Sequence, residues 1–242
     1  MRRALGALAR TSPRAGSHLG DDSDEVNRTP NICAGPFGAL YDYYIERRWL
    51  MQAVGRAIWG IDASILYASM NVIGSMPDGA TIIDAPCGGG VAFRALRPEQ
   101  DVRYLAADIS EKMLARARMR EERRSLAHVE VVTGDMTALP FADCEADLFL
   151  SYSGLHMVHD PDRAIAEIGR CLKPGARVVG TSFFAEGRGR GQLMFKLGSL
   201  RGHPLPPKRG DVLSWLSAVG IEEARIGPEM GFAVFTGRKA QH

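Results

Sequence analysis

The chain is poor in cysteine: four in 242 residues, at positions 33, 87, 144 and 171, and none in a C-x-x-C pair. That pattern argues against a disulfide scaffold and a cysteine-built zinc site, so no metal is expected. It fits a reducing compartment, and a cytoplasmic protein is expected. No apolar run approaches the ~20 residues that a bilayer span requires, so no transmembrane segment is expected. Neither sign of charge dominates. Thirty basic residues face 28 acidic ones, a formal net of +2, which gives no ground for nucleic acid as a partner. No internal repeat or low-complexity block interrupts the chain. An apolar share of 45% and a charged share of 24% are those of an ordinary globular protein. The length suits one domain with a small elaboration.

Against this plain background one run stands out, IIDAPCGGG at 82–90. Two β-branched residues and an Asp precede a chain breaker and three glycines, and 91–96 reads as helix. A strand, a sharp glycine turn and a helix bring a ligand against bare backbone at the carboxyl end of a parallel strand. The turn has neither G-K-[ST] nor G-x-G-x-x-G spacing, so a phosphate cradle and a nicotinamide dinucleotide fit poorly. Asp84, a carboxylate beside the glycines, suits a cationic ligand. Cys87 reads as a small filler of the turn and not as a nucleophile. Two further acids follow successive strands. Asp108 ends the segment 102–107, 24 residues beyond Asp84, and Asp135 follows the strand at 128–132.

These features resemble the class I S-adenosylmethionine-dependent methyltransferases, from about Thr81 to Thr181, and most of all their small-molecule, quinone-biosynthesis-like branch. The family's D-x-G-x-G-x-G loop falls on Asp84, Pro86, Gly88 and Gly90, with Pro86 replacing a first glycine. Its ribose-binding acid falls on Asp108, within D-I-S-x-x-M-L, and its adenine-binding pair on Asp135-Met136. The resemblance implies S-adenosylmethionine as cofactor. It places cofactor contacts at Asp84, Pro86, Gly88, Gly90, Asp108, Ile109, Met113, Asp135, Met136 and Ser151. It also implies an α/β fold: a doubly wound, Rossmann-like seven-stranded sheet with an antiparallel last strand, an N-terminal helical lid and an insertion after strand 5.

The pattern of the chain agrees. Strands are expected at 81–85, 102–107, 128–132, 146–152 and 176–184, with helices at 111–124 and 161–171. Consecutive apolar residues at 82–83 and 148–150 suit strands covered on both faces. Lys173-Pro174-Gly175 reads as a helix stop and turn. A helix near 211–218 and a closing hairpin, 222–226 with 232–236, complete the methyltransferase domain, 81–242. Residues 1–30 read as a disordered tail, and 31–80 as a helical lid carrying Phe37, Tyr41, Tyr43, Tyr44, Trp49 and Trp59. Residues 185–210 form a cap with six basic residues against one acid and an apolar stretch, Leu193–Leu200.

Methyl transfer needs alignment and exclusion of water more than acid–base groups. A base serves only acceptors such as hydroxyls. Among the residues after the fourth strand, His156 is the candidate catalytic base. Tyr41, Tyr44 and Trp59, with Leu193–Leu200, are expected to enclose a small, hydrophobic acceptor. RNA or other nucleic-acid methylation through the basic cap, and a non-catalytic cofactor-binding role, are the competing readings. A monomer or homodimer is expected.

Overall fold

A computed structural model of the chain describes residues 47–187, 190–229 and 231–241. Tyr41, Tyr44 and the tail at 1–30 lie outside the described residues. The described part opens with helix α1 (Arg48–Val54), a π-helical turn (Gly55–Trp59), and short helices α2 (Ser64–Ser69) and α3 (Asn71–Gly74). Asp62 joins the first two helices, since its Oδ1 accepts from Gln52 Nε2 at 2.8 Å and from the Ser64 N–H at 2.9 Å. Leu66, Tyr67, Met70 and Ile73 of α2–α3 are buried in the main core. These two helices therefore pack against the sheet, and Trp59 lies in the turn before them.

Seven strands follow: β1 (Ala80–Asp84), β2 (Val102–Asp108), β3 (Val129–Thr133), β4 (Ala146–Tyr152), β5 (Leu172–Phe183), β6 (Ile221–Ile226) and β7 (Phe232–Lys239). They form one sheet in the order β3-β2-β1-β4-β5-β7-β6. β1 to β5 run parallel, and β7 lies antiparallel between β5 and β6. Helices α4 (Glu111–Arg124), α5 (Pro161–Cys171), α6 (Arg190–Ser199) and α7 (Arg209–Ala218) complete the described chain. Along β1, Ile82 enters one core and Ile83 the other; along β4, Leu148 and Leu150 enter the first and Phe149 the second. Covering both faces is the reason for consecutive apolar residues in these strands. The strand order reverses between β1 and β4, and this switch point opens a crevice at the carboxyl ends of the strands.

Two segments depart from the sequence reading. Residues 91–95 form a 3₁₀ turn instead of an α-helix, bounded by left-handed Gly90 (φ 74°) and extended Leu96. Lys173-Pro174-Gly175 does not end in a free turn. β5 begins at Leu172, and the register slips between the Ala146–Leu172 and Leu148–Arg177 pairs, so the three residues are absorbed as a bulge.

Gly180, buried in β5, marks the tightest approach in the sheet. A Cβ there would lie 2.3 Å from the Phe235 ring and 2.4 Å from the Ser151 carbonyl oxygen. Gly210, the second residue of α7, has nothing within 4 Å. Gly180→Ala should therefore lower stability by about 1–3 kcal/mol or more, and Gly210→Ala should raise it by about 0.4–1 kcal/mol. Urea unfolding midpoints of the two variants check both signs.

Candidate functional site

The chain leaves β1 at Asp84 and turns through Pro86, Cys87 and the three glycines. Gly88 and Gly90 take φ of +53° and +74°, values that glycine adopts without strain. Three backbone donations fix the turn. The Cys87 N–H reaches the Ala107 carbonyl at 2.8 Å and the Gly90 N–H reaches the Cys87 carbonyl at 3.0 Å. The Gly88 N–H donates to Asp108 Oδ2 at 2.9 Å. Asp108 Oδ1 accepts the Ser110 N–H at 2.9 Å, so this one carboxylate ties the glycine loop to the end of β2. A carboxylate has about four acceptor positions; the Ile109 amide also bonds to this one, and some capacity remains for a ligand. Asp108 is 7% exposed; loss of water raises its pKa, and the Ser110 and Gly88 amides act in the opposite direction.

Asp84 is more completely enclosed, at 1% exposure. Its Oδ2 accepts the Tyr104 hydroxyl at 2.8 Å, while its Oδ1 is buried and, among the described residues, has no hydrogen-bond partner. Burial raises its pKa from 3.8 to about 7, the Tyr104 hydrogen bond working against the rise and the Asp108 charge adding to it. An incompletely satisfied buried carboxylate is costly. A cation brought against it would restore its charge. Burial, then the charges of Asp84 and Asp108, push the Cys87 thiol well up, so Cys87 stays protonated and fills space.

The ends of β3 and β4 meet the same loop. Met136 is buried, its sulfur 4.0 Å from Ser151 Oγ. A Cβ on Gly154 would fall 2.5 Å from Pro86 Cδ, 2.7 Å from Ser151 Oγ and 3.0 Å from Met136 Sδ. Pro86, Met136 and Ser151 thus converge on a spot that only glycine fits. Asp135 is partly spent on its own turn, because Oδ1 accepts both the Thr137 N–H at 2.7 Å and the Thr137 hydroxyl at 2.8 Å. Met113 is buried on α4, whereas Ile109 is 56% exposed. Tyr104 and Gly154 are site residues that the sequence reading missed. Tyr104 sits in a strand buried on both faces, where no alternation distinguishes it, and Gly154 carried no motif.

Beside this rim lies an aromatic cluster. Phe183 stands 5.5 Å from Trp59, 4.9 Å from Phe195, 5.0 Å from Phe232 and 5.0 Å from His156, between ring centroids. Trp59, Phe183 and Phe232 line a cavity of about 270 Å³ together with Ile61, Gln192 and Glu229. His156 is 6% exposed, and burial lowers its pKa from 6.5 to about 3. Its Nδ1 accepts the Phe183 N–H at 3.3 Å and lies 3.3 Å from Ser182 Oγ. Burial thus moves His156 away from the neutral range expected of a base and favours its uncharged form. The Leu193–Leu200 stretch also departs from expectation. Phe195 alone among its large side chains packs into the aromatic cluster, while Leu193, Met194, Leu197 and Leu200 are 58%, 47%, 46% and 83% exposed. Two inward positions on α6 explain this, since Gly191 would press its Cβ 3.0 Å from the Trp59 carbonyl and Gly198 packs against His203.

A methyltransferase-domain family matches residues 83–180. The chain is similar to a demethylmenaquinone methyltransferase of Thermobifida fusca, 31% identical over 64% of this chain and 62% of that protein. A Ubiquinone/menaquinone biosynthesis C-methyltransferase UbiE of a Shewanella species is 27% identical over 82% of this chain and 76% of its own. The chain spans less than two thirds of the Thermobifida protein, and 43%, 43% and 38% of three further UbiE relatives. Among solved structures, phosphoethanolamine N-methyltransferase 2 of Haemonchus contortus, in complex with S-adenosylhomocysteine, superposes with a TM-score of 0.63 at 17% identity. It covers 72% of this chain and 52% of that one. Residues 83–180 are thus similar to a methyltransferase domain, and the solved structure shares its fold.

The buried Asp84 carboxyl sets a stability signature. Its folded pKa of about 7 lies above the unfolded value near 3.8, so the folded state binds more protons in between and stability falls as pH rises through that window. In the ligand-free protein, the unfolding free energy should drop by a few kcal/mol from pH 4 to pH 7.5 relative to Asp84→Asn, which keeps an acceptor for Tyr104 without the charge. Urea unfolding of both proteins across this range measures the difference.

Proposed function

We propose that the chain transfers a methyl group from S-adenosylmethionine to a small, lipophilic acceptor of the quinol type, as the names of its curated relatives suggest. The observation that carries this reading is the pairing of two dehydrated carboxylates, one with an unmet oxygen, under a glycine turn, on the same edge of the sheet as an aromatic-walled cavity at the ends of β5 and β7. Asp108 would hold the ribose hydroxyls through its remaining acceptor capacity. Asp84 Oδ1 would face the cationic amino-acid end. Asp135 and the Met136 N–H would meet the adenine, and Gly88, Gly90 and Pro86 would let backbone approach. The cofactor supplies an electrophilic methyl on a sulfonium, which an acceptor nucleophile takes by in-line displacement.

The chain's own residues align and dry the acceptor. Trp59, Phe183 and Phe232 supply flat apolar walls, as ligand pockets usually do. A neutral His156 with Nδ1 fixed by the Phe183 amide would position the ring cluster, and the acceptor would react already ionised or release its proton to solvent. Turnover should therefore show no rise through a pKa of about 6.5 that disappears in His156→Gln.

Incubation with S-adenosylmethionine and a set of lipophilic quinols, phenols and amines, with mass detection of methylated product, tests the function. Cofactor binding without product from any acceptor would favour a non-catalytic protein, and methylated RNA would favour the nucleic-acid reading. Within the cofactor site, Asp108→Ala removes two charge-assisted bonds, worth about 1.5–3 kcal/mol each, as well as the anchor of the glycine loop. It should weaken S-adenosylhomocysteine binding more than Asp135→Ala does, by calorimetry.

A further inference from the structure

Helix α6 has two apolar sides. Its inner side is accounted for by Gly191 against Trp59, Phe195 in the aromatic cluster and Gly198 against His203. Its outer side is a stripe of Leu193, Met194, Leu197 and Leu200, and Leu205 beyond the helix is 59% exposed as well. A surface helix ordinarily turns polar residues outward, and contiguous exposed apolar patches mark contact sites.

The charges within this segment are of one sign. No acidic residue occurs from Gly187 to Gly210. Arg190 and Arg209 are engaged, donating to the carbonyls of Ala57 and Glu229 at 2.7 Å each. Lys196, Arg201 and Lys208 are exposed, and among the described residues none of the three makes an ion pair. A second copy packed two-fold on this face would set those cations against their own copies. A nucleic acid would satisfy the cations and leave five large apolar side chains wet. Both features are met by a surface with hydrocarbon beneath anionic headgroups.

We propose that the outer face of α6, with Leu205, docks the protein on an anionic lipid bilayer. Leu193, Met194, Leu197 and Leu200 enter the headgroup–acyl boundary, and Lys196, Arg201 and Lys208 lie among the headgroups. The opposite side of the same helix contributes Phe195 to the aromatic cluster and Gln192 to the cavity, so docking sets the cavity one helix thickness from the lipid.

Flotation of the full chain with vesicles tests this without recourse to methyl transfer. Binding is expected to vesicles of equal parts phosphatidylcholine and phosphatidylglycerol, weaker binding to phosphatidylcholine alone, and loss of affinity with added salt. Leu193→Ser/Leu197→Ser/Leu200→Ser and, separately, Lys196→Glu/Arg201→Glu should each cut partitioning by roughly tenfold or more, with unchanged circular dichroism because every substituted side chain is exposed. No partitioning of the folded chain, or partitioning that both variants retain, overturns the proposal. So does a dimer that the leucine variant dissolves without any vesicle binding, or salt-sensitive binding of duplex RNA in its place.

Discussion

Two carboxylates that have lost their water organise the carboxyl edge of this sheet. Asp108 holds Gly88 and Ser110 by their amides and so fixes where the glycine loop lies relative to β2. Asp84, directly beneath, is left with one oxygen satisfied by Tyr104 and one with no described partner. Their like charges raise the cost of ionising both in the same low-dielectric space. A fold maintains such an arrangement against its desolvation cost when something outside the chain completes it. A cationic ligand with vicinal hydroxyls meets both demands, and a phosphate ligand meets neither.

The sheet supplies the frame for this pair. Reversal of strand order between β1 and β4 leaves the loops after β1, β2, β3 and β4 along one edge. Gly154 lets three of those loops close on each other through Pro86, Ser151 and Met136. Over the next stretch of edge, the π-helical turn ending at Trp59 and the first inward residue of α6 that is aromatic, Phe195, meet on Phe183. The resulting cluster excludes water from His156 and fixes it as a neutral ring. Under the proposed function, chemistry at this site would rest on placement and dryness, with electrostatics concentrated on the cofactor side.

Much of this was legible in the chain because its signals are local. Glycines after a β-branched pair, an acid at the end of each of two strands, and a Gly-Asp-Met turn are short-range patterns, and each landed at the crevice. The Asp84–Tyr104 bond was not legible: the residues are 20 apart, and strands buried on both faces give no hint of which side chains share a face. The 3₁₀ form of 91–95 is not legible because the Phe93 ring packs edge-on to Tyr104 of β2 in the core, a tertiary contact. For Leu193–Leu200, apolar content does not fix burial. Two glycines on the opposite face decide which way the helix turns, and no composition shows that. The dehydration of His156 likewise depends on rings brought from three separate segments.

The central claim is that Asp84 awaits a positive charge. The most direct measurement is calorimetric titration of the protein with S-adenosylmethionine at pH 6, in buffers of different ionisation enthalpy. With a free-state pKa of about 7, Asp84 is mostly protonated at that pH, and an approaching cation lowers its pKa. The account predicts binding accompanied by release of most of one proton, and binding without that release in Asp84→Asn. Tight binding with no proton release by the unsubstituted protein, or no binding at all, would contradict it.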